Sequence, residues 1–295
     1  MNPIRPFFLR TCPFVFALAA SIAPQMHGQI LAVYEPDVSA TVSAPIVGLG
    51  ATESDYLLIH TGDWSELPKN FSGNNQEDVR FTNPATARDA ASLDNDYMFQ
   101  LGTDNNLRKV NLSTGAQTPF NSNNSIHLGN HTFGIGYDAG TDTLGWGRFD
   151  GSEMTFATYY VGTATFGTPV TFAFDAALYG TPTGLDYVVK NGAARMLVGT
   201  TSSEINRVLD TSALTGEVGQ YFTRPLNLGN LTDVVFVYDD SKLALSYNIS
   251  DFAGRLEVGD FTVIPEPNAA VWLAGLVALV AAGLLRHTRG RGRLR

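Results

Sequence analysis

The chain has 295 residues, 44% of them hydrophobic and 16% charged, and a net charge of -9. That balance is ordinary for a folded protein and excludes a wholly disordered chain; the excess of carboxylates repels phosphate backbones, so no nucleic-acid partner is expected. The acidity is concentrated in the middle, because Arg5 and Arg10 lie near the start and Arg286, Arg289, Arg291, Arg293 and Arg295 at the end.

The first predicted element is a secretory signal over residues 1-28. Two arginines precede an apolar run from Phe14 to Ala23, and small and polar residues follow it, which is the charged, apolar and cleavage order that secretion machinery reads. Pro13 and Pro24 bracket the run, and ten residues are too few to cross a bilayer. Cleavage after Gly28 would leave Met26 and Gly28 at the recognition positions. Cys12 is the only cysteine and lies inside this segment, so the exported domain is expected to hold no disulfide and no cysteine metal ligand. The apolar run follows Cys12 instead of preceding it, which argues against lipidation.

Residues 29-262 show no convincing helical period. Short runs rich in β-branched and aromatic residues, such as "DYLLIH", "DYMFQL", "EMTFATYYVG", "PVTFAF", "ARMLVG" and "DVVFVY", recur between Gly, Asn and Asp turns. This texture predicts one all-β domain. Residues 62-92 read as polar and loop-like, and "ATARDAASL" suits a minor buried helix. Acidic-aromatic pairs recur as Asp55-Tyr56, Asp96-Tyr97, Tyr137-Asp138, Asp186-Tyr187 and Tyr238-Asp239, with successive tyrosines 41, 40, 50 and 51 residues apart. Spacings of this size suit a β-propeller-like arrangement of about five irregular blades. "NNLRKVNLSTGAQTPF" and "INRVLDTSALTGEVGQYF" share a strand, a Thr-Gly turn and a second strand, as blades of bacterial surface propellers do. A β-sandwich or jelly roll accounts for the same texture.

No motif in the domain specifies catalysis. His127 and His131 have a spacing seen in zinc sites, but Gly129 lies between them and no helix is predicted there, so loop or strand histidines are expected. No Gly-x-Ser-x-Gly elbow, phosphate loop or complete dinucleotide fingerprint occurs. Asp94, Asp96 and Asp104, or Asp239 and Asp240, could supply oxygen ligands to calcium, yet they lack the order of a calcium loop and read as turn carboxylates. No cofactor is therefore expected, and no catalytic residue is assigned. Asn70, Asn111, Asn123, Asn130, Asn230 and Asn248 begin Asn-x-Ser/Thr triplets that reflect composition. Trp64, Trp146 and Tyr159 could stack on sugars if exposed, although most aromatics of a domain this size belong to its core.

The last predicted element, residues 263-295, has three parts. Residues 263-268 contain Pro265, Glu266 and Pro267, whose prolines hold the backbone extended, the form a protease cleft takes up. Ala269 to Leu285 is an uncharged run, about 26 Å long as a helix and near the lower limit for a membrane span. Asn268 can cap that helix. Residues 286-295 hold the five arginines, which would keep this end cytoplasmic and place the domain outside. Ala274, Ala278 and Ala282 beside Gly275 and Gly283 give the span one small-residue face.

"VIPEP" with its span and basic tail resembles the C-terminal sorting signal of PEP-CTERM proteins of Gram-negative bacteria. The resemblance is confined to these 33 residues. Ile264 stands where valine is commoner, and the arginines alternate with glycine instead of forming one block. The resemblance implies recognition at Pro265, Glu266 and Pro267 by an exosortase-type membrane protease, transient retention by the arginine tail, and delivery to the cell surface or an exopolysaccharide-containing matrix. The sequence thus predicts an exported structural or binding protein, with a glycan among the ligands to consider. The alternative is a secreted polysaccharide hydrolase or lyase using paired carboxylates.

Overall fold

The computed structural model describes residues 30-31, 33-60, 63-69, 78-82, 87-118, 125-190, 192-237 and 242-262. Two N-terminal strands, β1 (Ile30–Leu31) and β2 (Val33–Val42), precede the first complete sheet. Blade one is β3 (Gly48–Ala51), β4 (Asp55–Ile59), β5 (Asp63–Pro68) and β6 (Asp78–Thr82). Blade two is β7 (Ala87–Ser92), β8 (Tyr97–Gly102) and β9 (Asn106–Asn111), with its outer edge shared by β10 (Gln117–Thr118) and β11 (Ser125–His127). Blade three is β12 (Thr132–Asp138), β13 (Thr143–Phe149) and β14 (Glu153–Tyr160), edged by β15 (Thr165–Phe166) and β16 (Val170–Ala173). A single helical turn, α1 (Ala176–Tyr179), leads to blade four: β17 (Thr181–Lys190), β18 (Ala193–Thr201), β19 (Ile205–Ser212) and β20 (Val218–Pro225). Blade five is β21 (Asn230–Val237), β22 (Lys242–Ser250) and β23 (Ala253–Thr262).

The first strands of the blades touch in the cycle β3, β7, β12, β17, β21 and back to β3. The fold is therefore a five-bladed β-propeller, and the sandwich and jelly-roll alternatives fall away. The ring is closed by the chain's own start, because β2 pairs along β23 as the outermost strand of blade five. Tyr34 of β2 stacks on Phe222 of blade four at 5.1 Å, and β1 adds a parallel strand to β20. The two N-terminal strands thus join blades four and five, with β1 on one and β2 on the other.

Five apolar clusters build the core, one in each seam between blades. Each middle sheet is buried on both faces, so its strands read as continuous apolar runs instead of alternating ones; "DYLLI" of β4 and "YMFQLG" of β8 are buried after their first residue. Trp64, Trp146 and Tyr159 belong to these clusters and are not surface platforms.

Near the axis the seams tighten and demand small residues. A Cβ on Gly48 would fall 2.5 Å from Asp89 Cα, and one on Gly184 would fall 2.5 Å from Asp233 Cα. The same crowding explains "ATARDAASL": residues 87-92 form β7, not a helix, with Ala87 and Ala90 buried. Alanine's helix propensity is overridden because an axial strand needs small side chains more than a helix needs alanine. The loop-like stretch 62-92 likewise contains β5, β6 and β7.

The acidic-aromatic pairs fall about one per blade but not at equivalent places. Tyr56 and Tyr97 open second strands, whereas Tyr137 and Tyr187 lie in first strands, and Tyr238 is outside the described residues. The hairpin repeat is structurally equivalent, since β9–β10 and β19–β20 are third-to-fourth-strand hairpins of their blades. In one, Asn111 Oδ1 accepts from the N-H groups of Ser113 and Thr114; in the other, Ser212 Oγ accepts from Leu214 and Thr215. Gly115 and Gly216 then adopt the same left-handed conformation, φ 68° and 69°, which only glycine takes without cost.

Candidate functional site

Four aspartates of the axial strands connect blade to blade. Asp89 accepts from its own blade at Ala90 N and from the next at Ile135 N, both at 2.7 Å. Asp186 repeats this with Tyr187 N at 2.8 Å and Phe236 N at 2.7 Å, and Asp233 with Val234 N at 2.7 Å and Leu49 N at 2.6 Å. Asp138, at the end of β12, reaches Val189 N at 3.2 Å and holds Thr141 N at 2.8 Å. The seam between blades one and two has no such aspartate on β3; there Asn95 Nδ2 donates to Glu53 Oε2 at 2.8 Å, and Asn95 Oδ1 accepts from Glu53 N at 3.2 Å.

These latches form a polar plug in the channel. All four aspartates are buried. Burial pushes the Asp186 carboxyl up to about 8, with the nearby charges of Asp89 and Asp138 adding to the rise. The carboxyl groups of Asp89 and Asp233 come within hydrogen-bonding reach of each other, and burial raises both. That approach requires a proton between them.

Above and below the plug lie two mouths, each a cavity of about 400 Å³. The first is a funnel at the C-terminal ends of the axial strands. Ala51, Ala90, Val188, Val235 and the Tyr137 ring form its walls, with Asp138 and Asp186 among the residues lining it. Glu53, Asp94 and Asn95 line it from the loops between first and second strands, and Lys69 is its one basic group among the described residues. Its acids serve local structure: Asp94 Oδ1 accepts from Asp96 N at 2.8 Å and Tyr97 N at 2.7 Å.

The second mouth lies at the N-terminal starts of the same strands. Arg88, His131, Thr132, Thr181, Thr183, Thr232 and Asn248 line it beside Phe133 and Phe149, with no carboxylate among the described lining residues. His131 has φ 64°, an uncommon conformation for a residue with a side chain.

Of the residues singled out in the sequence, Asp94, Tyr137, Asp138 and Asp186 line the funnel and His131 lines the second mouth. Gly28, Pro265, Glu266, Pro267, the span Ala269 to Leu285 and Arg286, Arg289, Arg291, Arg293 and Arg295 lie outside the described residues, as do Asp239 and Asp240. Among the described residues no helix is long and apolar enough to cross a membrane, and no cluster of three or more metal-ligating side chains occurs. His127 Nδ1 lies 3.3 Å from Asn106 Oδ1, while His131 lines the second mouth. Asp104 pairs with Arg108. Asp138 and Asp186 entered the sequence reading only as members of the acidic-aromatic pairs, and Asp89, Asp233 and Arg88 were missed by it. Their signal is a charge embedded in a small or apolar strand, as in "ARDAAS", "GLDYVV" and "TDVVFV".

No family model matches the chain and no curated protein matches its sequence. Its fold is similar to that of Myxococcus xanthus glutaminyl cyclase, with a TM-score of 0.55 and 14% identity over 81% of this chain and 100% of that one. The likeness supports a five-bladed propeller and, at this identity, the fold alone. Lower scores relate it to the Pan2 WD40 domain of Neurospora crassa (0.39, 12% identity, 73% of this chain and 63% of that one) and to a chain of a nidogen/laminin complex (0.45, 10% identity, 69% and 72%).

Proposed function

We propose that this protein is an exported, surface- or matrix-associated binding propeller whose funnel takes a neutral, hydroxyl-rich ligand such as a sugar. The observation that carries this reading is the state of the funnel's carboxylates. A hydrolase needs two acids free to move protons or attack, whereas both oxygens of Asp186 and both of Asp138 already accept N-H groups. A concavity with apolar walls and a few oriented polar groups is the usual form of a small-molecule site. The acidic rim disfavours anions.

Export rests on the pattern of residues 1-28, and sorting on the PEP-CTERM-like tail of residues 263-295. Mass spectrometry of the secreted protein tests both: mature termini near residues 29 and 262 are expected, and an intact C-terminal span on the bulk of the exported protein would overturn the sorting. For the ligand, the full-length protein is screened against neutral and acidic glycans with product analysis in parallel. Retention of neutral glycans without turnover is expected; turnover abolished by Asp186→Asn or Asp138→Asn in a folded variant would establish the hydrolase instead.

A further inference from the structure

The second mouth has no part in the reading above, and its chemistry differs from the funnel's. Arg88 is half-buried there. Its Nη1 donates to the Thr132 carbonyl and, at 3.4 Å, to Asn105 Oδ1, and it forms no ion pair with any described residue. A half-buried guanidinium without a carboxylate is unusual in a chain of net charge -9, because a buried cation ordinarily finds a counter-ion. With Nη1 anchored to backbone, the edge formed by Nε and Nη2 is held in place, and two parallel N-H groups match the two oxygens of a carboxylate.

The rest of the mouth supplies neutral hydrogen-bonding groups. Asn248 lines the mouth, and its Oδ1 is buried without a partner among the described residues, an acceptor that a native fold ordinarily satisfies. Thr181 is exposed beside it, and Phe133 and Phe149 offer apolar surface. One fixed guanidinium, with no second arginine or lysine among the described lining residues, suits a single carboxylate better than the doubly charged phosphate. A volume of about 400 Å³ accommodates one or two sugar rings.

We propose that the mouth around Arg88 binds a carboxylated sugar, a uronate, with Arg88 clasping the carboxylate and Asn248 and Thr181 taking ring hydroxyls. Calorimetric titration of the full-length protein with glucuronate and galacturonate tests it, with glucose, galactose and inorganic phosphate as comparisons. Uronates are expected to bind about tenfold or more tightly than their neutral counterparts, a difference of about 1.4 kcal/mol. Arg88→Gln should abolish that preference, and Arg88→Lys, which keeps the charge without the fork, should reduce it and serves if the glutamine variant does not fold. Glu204→Gln, on an exposed turn outside both linings, should leave it unchanged. No uronate binding, equal binding of neutral sugars at the site lost with Arg88, tighter binding of phosphate there, or a preference that survives both Arg88 variants would each overturn the proposal. Neutral-sugar binding that persists in the Arg88 variants would still stand for the funnel, so the two readings fail separately.

Discussion

The two mouths of one channel are built from the same five strands and enclose similar volumes, yet their linings carry opposite charge. The difference begins with what each end of an axial strand must do. At its C-terminal end the chain turns back sharply into the second strand, and tight turns draw on Asp, Asn and Gly. Asp94 caps such a turn and Asp138 holds Thr141 in another, so the funnel's acidity is in good part a by-product of turn formation. At the N-terminal end the approach turns rest on glycines instead, Gly129, Gly180 and Gly229 at φ 94°, 95° and 105°, which bring no charge. Arg88 there ties blade two to the Thr132 carbonyl of blade three and pairs with no carboxylate among the described residues.

The largest test of this contrast is at the plug that both mouths share. Asp233→Ala would strip acceptors from Leu49 N and Val234 N in a dry seam, at a cost of about 3 kcal/mol or more, read as a lower midpoint in urea unfolding. Glu53→Gln, at the one seam without an axial aspartate, keeps an acceptor for Asn95 and should barely move the midpoint. If the two variants unfold alike, the aspartates are not the latches described. Gly184→Ala comes next, because its Cβ meets backbone of the neighbouring blade; a loss of about 1-3 kcal/mol is expected, again by urea unfolding.

The plug also sets an unusual pH dependence. The folded Asp186 carboxyl titrates near 8 against an ordinary value of 3.8, so between those values the folded state binds more protons than the unfolded one. Its contribution is complete below pH 3.8 and is lost as the pH rises through about 8. Thermal melts should therefore give a higher Tm at pH 5 than at pH 8, by several degrees, and Asp186→Asn should flatten that slope. A Tm that rises steadily from pH 5 to 8 in the wild type would contradict a protonated plug. The smallest effect is at the funnel rim: Asn95→Ala should weaken neutral-glycan binding a few-fold in titration calorimetry, without touching uronate affinity.

Parts of this architecture were legible in the residues. Strand content and the period of a blade could be read because β-branched and aromatic runs recur between turns, and the hairpins around Gly115 and Gly216 are visible as Thr-Gly turns. The register of the repeat was not, because the acidic-aromatic pairs mark different strands in different blades. Residues 87-92 misled for a related reason: "ARDAAS" carries helix-forming residues, and only the crowding of five strands at the axis makes it a strand. Asp89, Asp186 and Asp233 gave no sign of convergence, since each bonds to a blade that begins many residues further along the chain, or, for Asp233, back at its start.

By itself the sequence determined local matters, strands and turns, because each depends on neighbours within a few residues. The tertiary structure alone decided that one strand from the chain's start closes the last blade, that four aspartates latch the seams, and that Arg88 and Asn248 share a cavity. Those outcomes depend on which strands meet at the axis, and ring closure sets that through contacts between residues distant in the chain.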